Sequence, residues 1–419
     1  MRNWAGNISY AAARLHRPAS IDELRSTVAG AERIRARGTG HSFNPLIDTT
    51  GDHVTLAGLP PVIDIDRDAS TVTLTGPIRY GELGVALHEA GYALHNMASL
   101  PHISVAGAVA TGTHGSGNAN GSLATAVAGI EMVTAGGELT HLRRGDPDFD
   151  GCVVALGALG IVTRVTLDIA PTYDVVQYVY DDLPWADFDP DIFAGGYSVS
   201  VFTDWTGPRF NLIWVKNRVS PTDRGGWSPP RHWHGAHLAD GARHPIPGVL
   251  ADPATPQMGS AGPWHTRLPH FRLDFTPSVG EELQTEYFIA RADAMAALTA
   301  IDGMRERIAP LLAICELRTI AADDLWLSMA YRRDSLALHF TWHPNLAPVV
   351  ALLPELEARL APFDARPHWG KVFTMPANVV AGHYERLADF GRLRHAYDPT
   401  GKFGNAFVDA YAPAVAPTP

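Results

Sequence analysis

The sequence is poor in cysteine and in basic residues. Only Cys152 and Cys315 occur among its 419 residues, and each lies in an apolar segment, so both are predicted to be buried thiols. Two such cysteines argue against a disulfide framework and against a cysteine-ligated zinc site. The 33 Lys and Arg against 44 Asp and Glu give a net charge of −11. This balance argues against a nucleic-acid partner, because phosphate contacts need clustered cations.

Long hydrophobic runs are also missing. The longest apolar stretch, residues 152–162, is interrupted by glycines and is too short to span a bilayer. Residues 1–7 lack the apolar segment of a secretory signal peptide. We therefore expect a cytoplasmic protein with no membrane partner.

What the sequence does contain is typical of a globular protein. Hydrophobic residues make up 46% of the chain, and its length exceeds what a single core usually supports, so two domains are expected. The 39 glycines and 32 prolines predict many loops and short elements.

Local patterns predict an α+β fold. Apolar spacing, capping residues and turn residues indicate these elements before residue 170: helices 21–30 and 80–90, strands 34–37, 62–66, 71–75 and 161–169, and a hairpin of strands 130–134 and 139–142. Beyond residue 170 they indicate helices near 291–308, 349–360 and 383–397, and strands 314–320 and 335–342. Residues 96–122 show little periodicity, and a loop that long inside a compact domain is usually functional.

The first chemical motif is a strand that runs into two glycines. Backbone N–H groups in such a loop can converge on an anion such as a diphosphate. The pattern is neither the dinucleotide fingerprint nor a P-loop, and by itself an ordinary turn explains it equally well. Its residues are Arg37, Gly38, Thr39, Gly40, His41 and Ser42.

The second motif covers residues 97–107 and 111–117, which are rich in small residues and hydroxyls. Small side chains permit close approach of the backbone, and hydroxyl and N–H groups are neutral donors. The composition suits a polar cofactor that is buried without many charges. An ordinary packed loop is the alternative.

The third motif places polar groups on predicted strands. Glu316 and Arg318 are two apart and should share a face, with Leu317 turned toward a core. The same spacing should bring the side chains of His339 and Thr341 to one face. These groups form either structural ion pairs or a polar site.

A fourth segment contains His232, His234 and His237, followed by Asp240. Three histidines suggest zinc, but the spacing matches no established zinc pattern and Gly235 argues against a helix. A loop at the surface is the simpler interpretation, and no metal site is predicted.

The order of these motifs resembles the FAD-linked oxidases of the vanillyl-alcohol oxidase superfamily, and most closely the alditol oxidases. The similarity extends over nearly the whole chain and departs between about residues 224 and 244. The motifs that carry it are GTGHS at 38–42, ISVAGAVATGTHGSG at 103–117, GALGIVT at 157–163, HWGK at 368–371 and DPxxKFxNxF at 398–407.

The resemblance implies a two-domain fold. Residues 1–172, completed by about 376–419, would form a PCMH-type FAD-binding domain. Residues 173–375 would form a substrate domain built on an antiparallel sheet that caps the flavin ring. The chain is expected to act as a monomer.

The resemblance also implies the site residues. FAD would be covalently attached through His41. The residues implied to bind the cofactor are Arg37, Gly38, Thr39, Gly40, His41, Ser42, Ser99, Ser104, Gly107, Thr111, Gly112, Ile161, Val162 and Asn405. Those implied to bind substrate are Ser99, Glu316, Arg318, Thr341 and Lys371, with Arg318, Lys371 and His339 as catalytic groups.

The implied activity is oxidation of the terminal C1 hydroxyl of alditols such as xylitol and sorbitol, and more slowly glycerol, to the aldose. O2 would be reduced to hydrogen peroxide. A sugar-1,4-lactone oxidase or dehydrogenase is the nearest alternative, since it would share the cofactor domain. A zinc protein or hydrolase built on the three histidines is an alternative of a different class.

Overall fold

The structure is a computed structural model that describes residues 1–219, 228–275 and 282–416. Its first 171 residues form ten short strands and four helices. The strands are β1 (Arg14–His16), β2 (Ile34–Ala36), β3 (Asp52–Val54), β4 (Val62–Asp66), β5 (Thr71–Thr75), β6 (Tyr92–Ala93), β7 (Val127–Val133), β8 (Leu139–Arg143), β9 (Ile161–Asp168) and β10 (Ala170–Pro171). The helices are α1 (Ile21–Gly30), α2 (Tyr80–Glu89), α3 (Val105–Ala110) and α4 (Phe149–Val153).

These strands form three sheets. A five-stranded sheet has the order β4-β5-β9-β7-β8, a three-stranded sheet the order β1-β3-β2, and β10 pairs with β6. The predicted helix at residue 21 is confirmed. Its cap forms as the sequence indicates: the Ser20 hydroxyl accepts a hydrogen bond from the Glu23 N–H at 3.1 Å, and Leu24 and Val28 are buried.

The rest of the chain adds ten strands and six helices. The strands are β11 (Asp174–Pro184), β12 (Ser198–Thr203), β13 (Arg209–Val219), β14 (His232–Trp233), β15 (Ala236–Leu238), β16 (Gly262–Pro263), β17 (Leu283–Ala290), β18 (Leu312–Ile320), β19 (Ser335–Trp342) and β20 (Arg366–Pro367). The helices are α5 (Ala294–Asp302), α6 (Arg305–Ile308), α7 (Leu346–Leu360), α8 (Ala377–Gly382), α9 (Leu387–Tyr397) and α10 (Ala406–Tyr411).

All ten of these strands belong to one sheet. Its order is β14-β15-β11-β13-β12-β18-β19-β17-β20, with β16 paired to β11. Every recorded pairing in it is antiparallel. One face of β18 and β19 is apolar: Leu317 and Phe340 are fully buried, as predicted, and belong to the main core with residues of α5 and α7. The opposite face carries the polar side chains.

Two predicted helices differ from the structure. The helix expected over 291–308 is divided at Gly303, which caps the end of α5 before α6 begins at Arg305. The helix expected from residue 383 begins at Leu387, and the separate short helix α8 precedes it in the sequence.

The end of the chain returns to the first sheets. The Ile34 N–H donates to the Lys402 carbonyl at 3.0 Å, and the Arg35 guanidinium hydrogen-bonds the Phe403 carbonyl. The C-terminal segment is therefore part of the same body as β2. Within the described ranges, no helix has both the length and the apolar character needed to cross a membrane.

Candidate functional site

A cavity of about 570 Å³ lies between the glycine-rich loops near residues 37–42 and 97–117 and the polar face of the large sheet. It brings together most of the residues that the sequence identified. Those that line it are Arg37, Gly38, Thr39, Gly40, His41, Ser42, Ser99, Ser104, Gly107, Thr111, Val162, Glu316, Arg318, His339, Thr341 and Lys371.

Three predicted cofactor residues do not line the cavity. Gly112 has a φ of +67° and allows a turn against Met329. Ile161 is fully buried in a separate apolar cluster beside α1. The side-chain amide of Asn405 donates to the carbonyls of Pro45, Leu46 and Asp48 and its oxygen caps α10, so its polar atoms are already used.

Two loops form the cofactor wall, and they pack closely against each other. A Cβ at Gly38 would lie 2.6 Å from the Ser104 hydroxyl oxygen, and a Cβ at Gly107, within α3, would lie 2.7 Å from the same atom. The Ser104 N–H also donates to the Thr39 hydroxyl at 3.3 Å. Both glycines line the cavity, where a residue without a side chain lets a bound group approach the backbone.

His41 lies at the end of the first loop with a neutral ring. Its pKa is lowered to about 4, mainly by burial and further by the charges of His102 and Lys371. The ring stacks on Trp4 with centroids 5.0 Å apart, and its buried Nδ1 makes no hydrogen bond. An unprotonated imidazole nitrogen beside the cavity is a competent nucleophile.

The loop that carries Lys371 is held directly against the His41 loop. The Phe43 N–H donates to the Gly370 carbonyl at 2.7 Å, and the Asn44 amide donates to the Lys371 carbonyl at 2.8 Å. These bonds explain how two motifs more than 300 residues apart reach one site.

Lys371 is a cation that can lose its proton near neutral pH. Its pKa is lowered to about 8 as the net effect of burial, which lowers it most, of Glu286, which raises it, and of Arg318, which lowers it. Its ammonium group hydrogen-bonds the Gln284 side-chain oxygen and lies 5.2 Å from the centre of the Phe43 ring.

The pairing register of the large sheet aligns polar residues from three neighbouring strands in one row. Glu316 of β18 and Glu286 of β17 both stand opposite His339 of β19. In the next row, Thr341 stands opposite Gln284. Because directly opposed residues share a face, these side chains all point to the cavity side of the sheet.

Arg318 is the central cation of this row. Its guanidinium lies 2.7 Å from the Glu286 carboxylate and 3.6 Å from that of Glu316, and it donates to the Ser99 hydroxyl at 3.2 Å. Burial opposes ionisation of Glu286, but His114 and Arg318 outweigh it and hold its pKa well below the ordinary value. Burial likewise opposes ionisation of Glu316, and Arg318 and His270 outweigh it, so its pKa is also well below the ordinary value.

His339 is a neutral group in the same row. Burial lowers its pKa, and Lys371 lowers it further. Both ring nitrogens are buried without a hydrogen-bond partner, and Nδ1 lies 3.6 Å from a Glu316 oxygen. A neutral imidazole with a carboxylate beside it is suited to accept a proton.

Sequence reasoning missed several polar residues at the site. Glu286 and Gln284 lie two apart in strand β17, which continues as the apolar run 287–290, and this spacing is the signal that could have identified them. His114 lies 3.1 Å from Glu286, and His270 lies 2.6 Å from Glu316. Both histidines occur in loops, where no periodicity marks them.

The three-histidine segment lies on the small hairpin β14–β15. The Nδ1 atoms of His232 and His237 are 2.8 Å apart, and His234 sits at the turn with a φ of +49°. Among the described residues, no group of three or more His, Cys, Asp or Glu could hold a metal ion. The zinc hypothesis therefore gains no support; residues 224–227 of the divergent stretch lie outside the described residues.

Two protein-family models match the chain. The model "FAD binding domain" matches residues 12–143, and the model "D-arabinono-1,4-lactone oxidase" matches residues 281–411. The first range contains both loops of the cofactor wall, and the second contains the polar row and Lys371.

Curated relatives match over nearly the full length. The chain is 49% identical over 410 residues to an alditol oxidase of Streptomyces sp. (strain IKD472 / FERM P-14339), which covers 97% of each chain. It is 28% identical over 421 residues to an L-gulono-1,4-lactone dehydrogenase of Mycobacterium tuberculosis, again covering 97% of each.

Solved structures show the same fold. A cholesterol oxidase from B. sterolicum superposes with a TM-score of 0.78, covering 98% of this chain and 96% of that one at 16% identity. A solvent-stable cholesterol oxidase gives a TM-score of 0.77 at the same identity. At this level of identity the likeness concerns the fold alone.

Proposed function

The chain belongs to the alditol oxidase family of FAD-dependent flavoprotein oxidases, and from this premise we propose that it oxidises the terminal C1 hydroxyl of alditols to the aldose. The observation that carries the proposal is the buried polar row, which shares one cavity with the His41 loop. Such a row provides the fixed hydrogen-bonding groups that a neutral, flexible polyol needs, since the substrate offers no charge for recognition.

The cofactor site is suited to FAD because the loops that line the cavity present Gly38 and Gly107, where a bound group can approach the backbone closely. When bound, the flavin accepts a hydride from the alcohol carbon and passes the electrons to O2, which leaves as hydrogen peroxide. We propose that a ring nitrogen of His41 carries the covalent link. The neutral state of this ring and its unpartnered Nδ1 support that assignment.

Substrate hydroxyls would be held by Ser99, Glu316 and Thr341. Glu316 accepts hydrogen bonds as a carboxylate, while Ser99 and Thr341 both donate and accept. Because several separate hydroxyls are recognised, a longer polyol would be positioned better than glycerol, and the gain would appear in kcat as well as KM.

The cations act on developing negative charge. Arg318 and Lys371 both line the cavity, where they can stabilise an alkoxide and the reduced cofactor. His339 would accept the hydroxyl proton, because it is neutral and its imidazolium form would be stabilised by Glu316.

The wider organisation is proposed on the same basis. Residues 1–172 with about 376–419 would form the FAD domain, and residues 173–375 the substrate domain; the confinement of the large sheet to the second range supports this division. A small polyol and O2 are the proposed partners. A monomeric state, the cytoplasm as its location and the absence of a nucleic-acid partner remain predictions from the sequence.

A sugar-1,4-lactone oxidase or dehydrogenase is the second candidate. The match of residues 281–411 to the lactone oxidase model favours it, because that range holds the substrate side of the cavity. The higher identity to the alditol oxidase, 49% against 28%, favours the first proposal.

An aerobic assay tests the proposal. Purified enzyme is offered glycerol, xylitol, sorbitol and gulono-1,4-lactone, and both hydrogen peroxide and the carbonyl product are measured. We expect one peroxide per aldose from xylitol and sorbitol, with glycerol slower. A preference for the lactone would support the second candidate, and substrate oxidation without peroxide would indicate an acceptor other than O2.

A further inference from the structure

A buried lysine is linked through His270 to Glu316, a member of the polar row that we call the substrate row (Glu316, His339 and Glu286), and it lies outside the groups described above as catalytic. Lys216 of β13 is 1% exposed, and its Nζ has three neighbours at hydrogen-bond distance. They are the Leu268 carbonyl at 2.6 Å, the Pro269 carbonyl at 3.0 Å and the His270 Nδ1 at 3.2 Å. An ammonium group has three N–H donors, so the protonated lysine satisfies all three.

The other nitrogen of the same imidazole reaches the substrate row. His270 Nε2 lies 2.6 Å from one oxygen of Glu316, and both side chains are buried. If Nδ1 accepts a hydrogen bond from Lys216, the proton of the neutral ring must be on Nε2. The ring then donates to Glu316, which is what an ionised carboxylate requires.

Two other arrangements would contain the same number of protons. In the first, a doubly protonated His270 would lie between a neutral Lys216 and an ionised Glu316; burial is the main cause that lowers the pKa of His270 to about 4, below that of Lys216, and so disfavours this state. In the second, a neutral Lys216 would accept from His270 Nδ1, and Nε2 would then accept from a protonated Glu316. The surrounding charges oppose this state, because Arg318 lies 3.6 Å from the second oxygen of Glu316 and favours its ionised form. The pKa of Lys216 is lowered to about 7, mainly by burial, and this value already includes the opposing effect of Glu316. The pKa of Glu316 is well below its ordinary value, so the proton belongs on the lysine.

We propose that Lys216 is a positioning residue for alditol binding, acting through the tautomer of His270 on the carboxylate of Glu316. One Glu316 oxygen is occupied by His270, which leaves the other free to accept a substrate hydroxyl. This inference rests on the proposed function, since it assigns Glu316 to the substrate.

Lys216 could instead serve only to anchor the segment that carries Leu268 and Pro269. The two roles make different predictions. If Lys216 is only a structural anchor, replacing it should lower the stability of the protein and impair both kcat and KM along with it. If Lys216 is a positioning residue, replacing it should weaken substrate binding only while Glu316 is present, and the effect should appear mainly in KM.

The kinetic test is a double-mutant cycle in the holoenzyme. Lys216→Met should raise the KM for xylitol about tenfold to a hundredfold, the range expected when a hydrogen bond to a charged group is lost, with a smaller change in kcat. In the Glu316→Ala background, the same change should raise KM no further. Equal and independent effects in both backgrounds would overturn the proposal.

Lys402 offers a matched control. Its ammonium group is also buried and donates to three carbonyls, those of Val28, Ala29 and Ala135, but none of these belongs to the substrate row. Lys402→Met should lower the melting temperature while the KM for xylitol remains near that of the wild type. An equal rise in KM in this variant would assign the effect of Lys216→Met to general destabilisation.

A spectroscopic test requires no turnover. In holoenzyme labelled with ¹⁵N-histidine, the resonances of His270 are those lost in His270→Gln. We expect a protonated Nε2 and an unprotonated Nδ1 in the wild type, and loss of that tautomer preference in Lys216→Met. An unchanged tautomer in Lys216→Met overturns this inference, whereas failure of the wild type to oxidise any alditol overturns the proposed function instead.

Discussion

The carboxylate of Glu286 accepts a hydrogen bond from the guanidinium of Arg318 at 2.7 Å, and both groups are almost completely shielded from solvent. Glu286 also contacts His114 on its other side. The pair fixes the direction of Arg318, whose other nitrogen reaches Ser99. A substrate-facing cation is therefore held by a carboxylate that is itself outside the predicted substrate set.

Removing that carboxylate should destabilise the protein as well as the site. Glu286→Leu leaves the charge of Arg318 buried without its closest partner, which typically costs about 3–5 kcal/mol in the free energy of unfolding. Glu286→Gln keeps an acceptor and should cost less. Denaturant unfolding of the holoenzyme measures both. Equal stability of wild type and Glu286→Leu would contradict the role given to this pair.

Lys371 is predicted to accelerate the chemical step, the reduction of the flavin by substrate. Lys371→Met should retain its fold and its flavin, while flavin reduction by xylitol slows on the order of 10²–10³-fold, as when one electrostatic donor is lost. Stopped-flow absorbance under anaerobic conditions measures the rate. Reduction at the wild-type rate would remove Lys371 from the catalytic groups.

The pH dependence of kcat should have a falling limb at high pH. Lys371 is charged below its lowered pKa of about 8 and neutral above it, so kcat should decline as pH rises through about 8. The pKa of His339 is lowered by burial, so this base is already neutral at pH 7 and no loss is expected there. Residual activity of Lys371→Met should lack the falling limb; its persistence would assign the limb to another group.

His41 is predicted to hold the flavin covalently. Acid denaturation of the wild type should leave flavin fluorescence on the polypeptide in a gel, and His41→Ala should release it. The physical basis is a neutral imidazole with an unpartnered Nδ1 at the cavity wall. Complete release from the wild type would exclude the link, and retention in His41→Ala would place it elsewhere.

Strand periodicity predicted correctly which side chains of a single strand share a face. Alternation alone places Glu316 on the face opposite Leu317, and the structure agrees. The register that sets Glu316 opposite His339 is a property of the sheet, and no local pattern in either strand specifies it. The closeness of Lys371 to the His41 loop followed only from the family resemblance.

The parts that sequence reasoning missed have a common physical reason. Strand β13 carries Lys216 directly after the apolar run 212–215, so no alternation of apolar and polar residues marks this lysine. Neither the strand of Lys216 nor the loop of His270 has a sequence pattern that predicts a site. The role proposed for these two residues depends on the contact between them. Such contacts between distant segments are visible only once the chain is folded.

The most direct test of the central claim is anaerobic reduction of the bound flavin by two competing substrate classes. Holoenzyme is mixed with xylitol or with gulono-1,4-lactone in the absence of O2, and the loss of flavin absorbance is followed through a single turnover. The account predicts rapid bleaching by xylitol and slow or no bleaching by the lactone. Bleaching by the lactone alone would contradict it, whatever acceptor the enzyme later uses.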